Sequence, residues 1–387
     1  MQKKIIWLYI TVFVNILGFG MIFPLLPLFA ETFKATAFDI GLLAASFSFA
    51  QFLVSPILGR ISDRFGRKPV LIISVVGSTF AFIIAALAPN LEVVYLSRIL
   101  HGISTAGVFP IASAYVADIT SKEERTVYIG KVTAMFALGF TFGPAIGGFL
   151  AGYGFSFAFF AAGLVSMINL ILIFIFLPES ITKKAEKFVL REGLLNFKAI
   201  YHGLRGDFGV LFFLLFSWSF YISNFQVAIP LFTTHNFHMG TVENGIFFSV
   251  TGIASVIAQW FVLPIMVRKI GEIKTIFVGI LLMIFGQLFA PLFTQVLLFY
   301  IFFVISVLGS GLKRPTINAV LSKATKEGQG TTFGLAFSFE SLGRIAGPLL
   351  AGLTIAHYGL SFPFWLTIGV LVIGLFLFWR VEMRKNR

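Results

Sequence analysis

The ten residues from Gly59 to Lys68 read GRISDRFGRK and hold four cations and one carboxylate, in a chain whose charged fraction is only 12%. The sequence around them is apolar: 58% of the 387 residues are hydrophobic, and 50 are Phe. One soluble core could not bury that much apolar surface, so the chain is predicted to be an integral membrane protein. The charged stretch is then a short loop between two membrane-spanning helices.

Apolar runs long enough to cross the hydrocarbon as helices recur along the whole chain. A helical span needs about 20 apolar residues, whereas a β-barrel would show shorter alternating segments, which the sequence lacks. Twelve spans are predicted, at residues 5–30, 38–58, 70–88, 92–118, 126–150, 156–177, 209–232, 242–266, 275–293, 296–321, 329–354 and 361–380. The predicted fold class is therefore all-α integral membrane, with twelve transmembrane helices.

The basic residues predict the orientation of the spans. Lys and Arg are concentrated in alternate loops and at both termini, while the opposite loops hold Lys34 alone. Because loops rich in Lys and Arg stay in the cytoplasm, we expect both termini inside a multi-pass protein of the cell (inner or plasma) membrane. The net charge of +13 then faces anionic lipid head groups and not nucleic acid.

The chain divides into two similar halves. Residues 178–208 form the longest polar interruption and are predicted to be a cytoplasmic linker between six-helix bundles at 1–177 and 209–387. Residues 138–148 align with 342–352 at an offset of 204, with glycines and a proline at matching positions. Two parallel repeats predict pseudo-symmetric bundles and a transporter whose substrate site lies between them, near the middle of the membrane.

Several motifs give the chain a family resemblance. GRISDRFGRK fits Gly-x-x-x-Asp-Arg-x-Gly-Arg-Lys, the loop signature of the major facilitator superfamily, at every defined position. The chain also resembles the twelve-span drug:proton antiporter branch, the bacterial multidrug efflux type, at Arg98-Ile99-Leu100-His101-Gly102 in span 4. Span 5 shares the branch's antiporter and packing motif at Gly139, Gly143, Pro144, Gly147 and Gly148. The resemblance implies the major facilitator fold and export in exchange for protons.

The same resemblance implies a conformational latch that stabilises the outward-facing state. Its predicted members are Gly59, Asp63, Arg64, Gly66, Arg67, Lys68 and Asp118. Arg67 could pair with Asp118 at the end of span 4. The alternative is an ordinary basic loop that only sets the orientation.

Charged residues deep in the spans are the candidates for coupling and binding. Arg98 lies on the order of 10 Å below the outer surface, where a guanidinium costs at least about 2.5 kcal/mol. The resemblance implies that Arg98 takes part in proton coupling or substrate binding; the alternative is extension to the interface. His101, one turn further, could share the task because imidazole changes charge near neutral pH, or it could be a packing histidine.

Glu340 is the one acidic residue predicted near the middle of a span. It precedes Arg344 by four residues, so the two could form an intrahelical pair that keeps the carboxylate ionised and structural. Burial in hydrocarbon favours the protonated acid instead, which would let Glu340 carry a proton. The predicted proton-coupling residues are therefore Glu340, Arg98 and His101.

Cations outnumber carboxylates among the deep residues. The predicted substrate cavity is lined by Asn15, Arg98, Asn224, Gln226, Lys313, Arg314, Phe337, Glu340 and Arg344. Related exporters often place acidic residues in spans 1, 7 or 10, and their absence here casts doubt on cationic drugs as substrates. We expect such a site to favour neutral or anionic amphiphiles, unless Lys313 or Arg314 is held by carbonyls freed at Pro315.

The sequence therefore predicts a secondary active transporter that exports lipophilic small molecules by proton antiport and alternating access. One alternative is an exporter or flippase of a defined anionic metabolite, such as a metal chelator, a glycolipid or a sugar derivative. Another is a non-transporting membrane sensor. We expect no enzyme activity, metal or cofactor, because no ATP-binding loop, nucleophile-and-base set or metal cluster occurs in the spans. The proton gradient would supply the energy, and the expected partners are a small-molecule substrate and membrane lipids, with the protein itself a monomer.

Overall fold

The computed structural model describes residues 2–121, 125–181, 208–325 and 329–385. Up to residue 181 it contains eight α-helices: α1 (Gln2–Ile22), α2 (Leu25–Glu31), α3 (Ala37–Phe65), α4 (Arg67–Ala86), α5 (Leu91–Thr105), α6 (Val108–Ile119), α7 (Arg125–Ala151) and α8 (Phe155–Phe176). The Lys-rich part of the predicted linker, between residues 182 and 207, lies outside the described residues.

The second half contains α9 (Gly209–Phe237), α10 (Thr241–Ile257), α11 (Leu263–Phe289), α12 (Val296–Ala324), α13 (Gln329–Tyr358) and α14 (Phe362–Lys385). A short π-helix, Ala258–Val262, joins α10 to α11, and a 3₁₀ turn, Ala290–Leu292, follows α11. Within the four described ranges there is no β-strand. The predicted all-α fold class is confirmed.

The helices account for the predicted spans. Ten helical segments among the described residues are long and apolar enough to cross a membrane. One of them, Thr241–Leu292, has 52 residues and is interrupted at Gly271, so it holds two of the predicted spans. A further helix, α13, has 30 residues and carries Glu340 and Arg344 inside it.

Glycines in a left-handed conformation separate consecutive spans at corresponding places in the two halves. Gly66 has φ +116° between α3 and α4, and Gly271 has φ +81° between the two spans of the 52-residue segment. Most side chains are strained at such φ values, whereas glycine adopts them readily. These residues therefore permit the tight turns that return the chain into the membrane.

The chain forms two compact units of nearly equal size. The first comprises residues 1–35, 46–195 and 240–249, and the second comprises 36–45, 196–239 and 250–387. Each unit thus contains most of one half of the sequence and the first turns of one helix from the other half. In unit 1, for example, Gly148 of α7 lies against the backbone of Thr241 and Gly245 in α10.

Small residues allow two helix backbones to touch in each unit. In unit 1, a Cβ added to Gly147 of α7 would collide with the carbonyl oxygen of Met21 in α1. In unit 2, a Cβ added to Gly343 of α13 would collide with the carbonyl oxygen of Phe216 in α9. Helices in a membrane associate through such close backbone packing, because lipid provides no hydrophobic driving force between them. The second crossing brings α9 and α13 together where the deep charges lie.

The crossing of α1 and α7 can be tested with two substitutions on the same helix. Gly147→Ala should lower the melting temperature of the purified protein by several degrees, since overpacking costs about 1–3 kcal/mol. Gly130→Ala, where a Cβ meets nothing within 4 Å, should leave it unchanged or raise it slightly. Equal melting temperatures for both variants would contradict the crossing.

Candidate functional site

A cluster of ionic side chains closes the turn between α3 and α4. Arg67 is buried at the first position of α4, and its Nε donates a hydrogen bond of 3.1 Å to Asp118 Oδ2. Its Nη1 pairs with Asp63, one helical turn earlier, and donates at 2.6 Å to Ser62 Oγ. One guanidinium thus joins the end of α3 to the end of α6.

Glu179 adds a second anion to this cluster. Its carboxylate accepts hydrogen bonds from the backbone N–H groups of Arg67, at 2.9 Å, and Lys68, at 3.2 Å. A carboxylate at this position is stabilised by the unpaired N–H groups and the positive end of the helix dipole of α4. Ser180 donates at 2.8 Å to Asp118 Oδ2, so the chain following α8 is attached to the same cluster.

We call Ser62, Asp63, Arg67, Asp118 and Glu179 the α3–α4 cluster. The other predicted latch residues lie around it. Gly66 leaves room for the Glu179 carboxylate, which a Cβ on Gly66 would strike. Lys68 Nζ donates at 2.8 Å to the carbonyl oxygen of Phe174, near the end of α8. Arg64 lies over the Phe65 ring, and Gly59 faces open space.

Arg98 and His101 lie inside unit 1, enclosed by aromatic rings. Both side chains are buried, so Arg98 does not extend to the surface of the protein. Arg98 Nη2 and His101 Nδ1 have no hydrogen-bond partner among the described residues. The Phe82 ring centre lies 4.5 Å from that of His101, and Arg98 Cζ lies 6.0 Å from the centre of the Phe159 ring. Arg98 thus keeps N–H donors, and His101 a ring nitrogen, that no described residue satisfies.

Glu340 is bound tightly in unit 2, by a partner that the sequence did not single out. Its Oε1 accepts from Arg314 Nε at 2.7 Å, and its Oε2 accepts from Arg314 Nη2 at 3.1 Å. This two-point pair joins α12 to α13 and has the geometry of the strongest guanidinium–carboxylate contacts. Arg344, the partner expected from the spacing, comes only to 3.9 Å of Oε2.

Two further cations lie on the helices that carry this pair. Arg344 Nη2 donates at 2.7 Å to Ser341 Oγ, which keeps it on the same side of α13 as Glu340. Lys313 is buried and donates at 2.7 Å to Ser217 Oγ of α9. Its described acceptor is therefore a hydroxyl group and not a carbonyl near Pro315. With all side chains ionised, Glu340, Arg314 and Arg344 together carry one net positive charge.

Aromatic faces cover both guanidinium groups. Arg314 Cζ lies 4.5 Å from the ring centre of Trp218, and Arg344 Cζ lies 5.1 Å from that of Phe337. The side chains of Arg314 and Arg344 remain 38% and 28% exposed, whereas that of Glu340 is 7% exposed. Charges exposed halfway along a membrane span face protein or a water-filled path and not lipid. We call Trp218, Arg314, Phe337, Glu340 and Arg344 the α12–α13 cluster.

The remaining predicted site residues are separate from these clusters. Asn15 is buried in α1, Asn224 is buried in α9 and Gln226 is partly buried. Neither amide atom of Asn224 has a hydrogen-bond partner among the described residues. The predicted packing residues lie on α7, where Gly139 and Gly143 face α1, as Gly147 does, and Pro144 faces Gly20. No group of three or more His, Asp or Glu side chains in the described ranges could hold a metal ion.

Sequence reasoning missed Glu179, Ser180, Ser62, Ser217 and Trp218. Glu179 and Ser180 were assigned to the start of the linker, although an acid next to the end of a span, on the side of the basic loop, was a usable signal. Trp218 carries no such signal, because the aromatic residues are too numerous to choose from. The choice of Arg314 over Arg344 needs the packing of α12 on α13.

Comparison with known proteins agrees with this architecture. The model of the family described as Major Facilitator Superfamily matches residues 8–348 and 261–387. The chain is 31% identical over 392 aligned positions to Multidrug resistance protein 2 of Bacillus subtilis (strain 168), a match that covers 100% of this chain and 97% of that protein. It is 28% identical to Quinolone resistance protein NorA of Staphylococcus aureus, covering 97% and 95% of the two chains.

Solved structures show the same fold. The crystal structure of the human organic anion transporter MFSD10 (TETRAN) matches with a TM-score of 0.74 and 24% sequence identity. The match covers 97% of this chain and 99% of that chain. At this level of identity the likeness establishes the arrangement of helices only.

The α3–α4 cluster predicts unequal roles for its two aspartates. Asp118 is 24% exposed and also accepts from Ser180, whereas Asp63 is 51% exposed. Asp118→Asn should therefore destabilise the purified protein by about 1–3 kcal/mol, and Asp63→Asn by less than about 1 kcal/mol. Melting temperatures of the two variants, measured at the same salt concentration, report both losses of stability. A larger loss for Asp63→Asn than for Asp118→Asn would contradict the unequal roles of the two aspartates.

Proposed function

Because the chain belongs to the Major Facilitator Superfamily, we propose that it exports lipophilic small molecules from the cell in exchange for protons. The superfamily consists of transporters and not of enzymes, and the helices of this chain are those of a multi-pass membrane protein. The full-length relatives named for multidrug and quinolone resistance support small lipophilic drugs as substrates. We further propose that the protein acts as a monomer in the cell membrane.

The distribution of basic residues supports the proposed orientation. Both termini and the α3–α4 turn would face the cytoplasm, with their Lys and Arg side chains near anionic lipid head groups. The α3–α4 cluster would then lie on the cytoplasmic side. There it would act as the latch, because its ion pairs join the ends of three helices and must break when those ends separate.

The observation that carries the proposed proton coupling is the two-point pair of Arg314 with Glu340, halfway along α12 and α13. A proton on Glu340 would remove its negative charge and weaken both hydrogen bonds from Arg314. The protonated cluster would hold two guanidinium groups and no counter-ion. A change of one proton therefore alters both the charge of the cluster and the contact between α12 and α13.

This change would couple an uncharged substrate to the proton by mutual exclusion. When Glu340 is ionised, a lipophilic molecule packs beside an ion pair whose charges compensate each other. When Glu340 is protonated, the same molecule would displace water from two guanidinium groups that lack a counter-ion, and this desolvation is costly. A bound proton thus lowers the affinity of the cluster for the substrate, and a bound substrate lowers its affinity for the proton by the same factor. Two ligands that bind alternately to one protein are the requirement for exchange transport.

Arg98 and His101 would form a second coupling group in unit 1. Both are buried, and each has a polar atom without a partner among the described residues. A proton on His101 would add a second positive charge beside Arg98, which makes the pair sensitive to proton binding. Glu340 remains the leading candidate because its protonation breaks a specific contact between helices.

A defined anionic metabolite is the second candidate substrate, for an exporter or flippase. The excess positive charge of Arg314, Arg344 and Lys313 over Glu340 favours it. A metal chelator, a glycolipid or a sugar derivative with a negative charge would suit such a site. Transport assays with anionic and cationic compounds of equal size distinguish this substrate class from cationic drugs.

Glu340→Gln tests the proposed coupling directly. The amide mimics the protonated acid and cannot release a proton, so purified variant protein in vesicles with an imposed pH gradient should bind the uncharged substrate more weakly than the parent and should not accumulate it. Glu272→Gln is the matched control, because it removes a carboxylate of the same unit that pairs with the exposed Lys323, outside the α12–α13 cluster. The control should accumulate substrate as the parent does. Uphill transport by the Glu340 variant would exclude Glu340 as the proton carrier.

The proposed latch makes a separate prediction for turnover. Asp63→Asn keeps the shape of the side chain but removes its charge next to Arg67, so it should slow transport several-fold without affecting insertion into the membrane. Transport rates compared at equal amounts of folded protein measure this effect. Equal rates for variant and parent would show that Asp63 has no part in a latch.

A further inference from the structure

We propose that the α12–α13 cluster is a binding site for the anionic group of an aromatic amphiphile, and that such an anion binds together with a proton on Glu340. The anion would replace the Glu340 carboxylate on the guanidinium groups of Arg314 and Arg344. This inference rests on the proposed function in taking the cluster as part of the substrate path. It adds a substrate class and the direction of its coupling to protons.

The geometry provides donors for a planar or tetrahedral anion. Arg314 uses Nε and Nη2 on Glu340, while Arg344 approaches the same carboxylate only to 3.9 Å. Both guanidinium groups are partly exposed, so a second anion has access to them without passing through the packed core. Guanidinium groups bind carboxylate, sulfonate and phosphate through parallel N–H donors.

The two aromatic residues indicate what the rest of the ligand is. Phe337 is exposed beside Arg344, and Trp218 lies against Arg314. An apolar ring attached to the anion could pack on Phe337 while its charge reaches the guanidinium groups. Such a ligand combines an aromatic body with one negative charge, and ligand sites commonly pair apolar walls with a few fixed polar groups in this way.

Charge balance explains why the anion would bring a proton. The empty cluster holds one carboxylate and two guanidinium groups. If an anion takes the place of the carboxylate on Arg314, an ionised Glu340 would be left buried without its partner, which is strongly unfavourable. Uptake of one proton from solvent makes Glu340 neutral and restores the original net charge of the site. One anion and one proton therefore bind together, and no covalent bond changes.

The other charged groups in this part of unit 2 must be distinguished from Glu340 in any test of this linkage. Arg314 pairs with it from α12, Arg344 belongs to its own helix, and α9 contributes the uncharged Trp218, which lies against Arg314. Arginine keeps its charge at all relevant pH values. Lys313 is bound to Ser217, and the Glu340→Gln variant described below separates its titration from that of Glu340.

The charge of the substrate would then decide the direction of coupling. A neutral lipophilic molecule and a proton exclude each other at this cluster, as proposed above, which gives exchange. An anion and a proton favour each other, which moves them in the same direction. Anionic aromatic compounds would therefore bind and equilibrate but would not be driven outward by an inward proton gradient, so export of the anionic candidate substrate would run down its own concentration gradient.

Equilibrium dialysis of naphthalene-2-sulfonate against the full chain in nanodiscs of zwitterionic lipid tests this inference. The probe keeps its negative charge between about pH 5.5 and about pH 7.5, and its affinity should fall by about tenfold per pH unit as the pH rises. Naphthalene-2-sulfonamide, the uncharged analogue, should bind with an affinity that does not fall with pH. Both measurements of affinity against pH are made on the parent protein alone.

Two variants assign the effect to the cluster. Glu340→Gln should bind naphthalene-2-sulfonate at every pH at least as tightly as the parent does at the lowest pH, and with no slope. Arg344→Gln keeps the pair of Arg314 with Glu340 but removes one cation, so it should bind the sulfonate at least tenfold more weakly at low pH. If Glu340→Gln does not fold, Lys313→Met takes its place: the slope should persist in that variant, and its loss there would assign the proton to Lys313 and overturn the inference.

Sulfonate binding that does not vary with pH in the parent would overturn the inference, and so would unchanged binding in Arg344→Gln. A slope that persists in Glu340→Gln would also overturn it, because the proton would then reside elsewhere. These binding results are independent of uphill transport. If the affinity for naphthalene-2-sulfonate falls with pH as expected but the protein does not export drugs in response to a proton gradient, only the proposed function is contradicted.

Discussion

The free energy of placing charge inside a membrane is the constraint on which the rest of this structure depends. A carboxylate halfway along α13 is tolerable because Arg314 holds both of its oxygens, from the neighbouring helix α12. Lys313 is buried with a hydroxyl group as its described acceptor, and Arg98 is buried among aromatic rings. The pair of Arg314 with Glu340 is the compensated charge on which a proton or a ligand is proposed to act.

Helix packing makes that compensation possible. Gly343 and Gly347 let α13 touch the backbone of α9, next to the turn of α13 that carries Glu340 and Arg344. Trp218 on α9 then lies against Arg314, and Ser217 receives Lys313. A small-residue crossing thus places polar groups from three helices within reach of one another. At the other charged site, Arg67 joins α3, α4 and α6 in a similar way, through ion pairs and not through glycines.

The fold was predictable from the sequence to a large extent, because span length, loop charge and the 204-residue repeat are direct consequences of the membrane as solvent. The pair of Arg67 with Asp118 also followed from the motif. The partner of Glu340 did not: spacing along one helix indicated Arg344, but packing between helices made Arg314 the closer partner. Contacts between segments distant in sequence, such as that of Glu179, which follows α8, with the first residues of α4, require the three-dimensional structure.

The ionisation of Glu340 in the ligand-free protein is the most direct test of the central claim, that a guanidinium–carboxylate pair at mid-span is the element on which protons and substrates act. An infrared difference spectrum between the parent and Glu340→Gln at neutral pH reports it. We expect the parent to show a carboxylate absorption that is absent from the variant, with no difference in the region of protonated acids. A protonated-acid band in the parent that disappears in Glu340→Gln would contradict the claim.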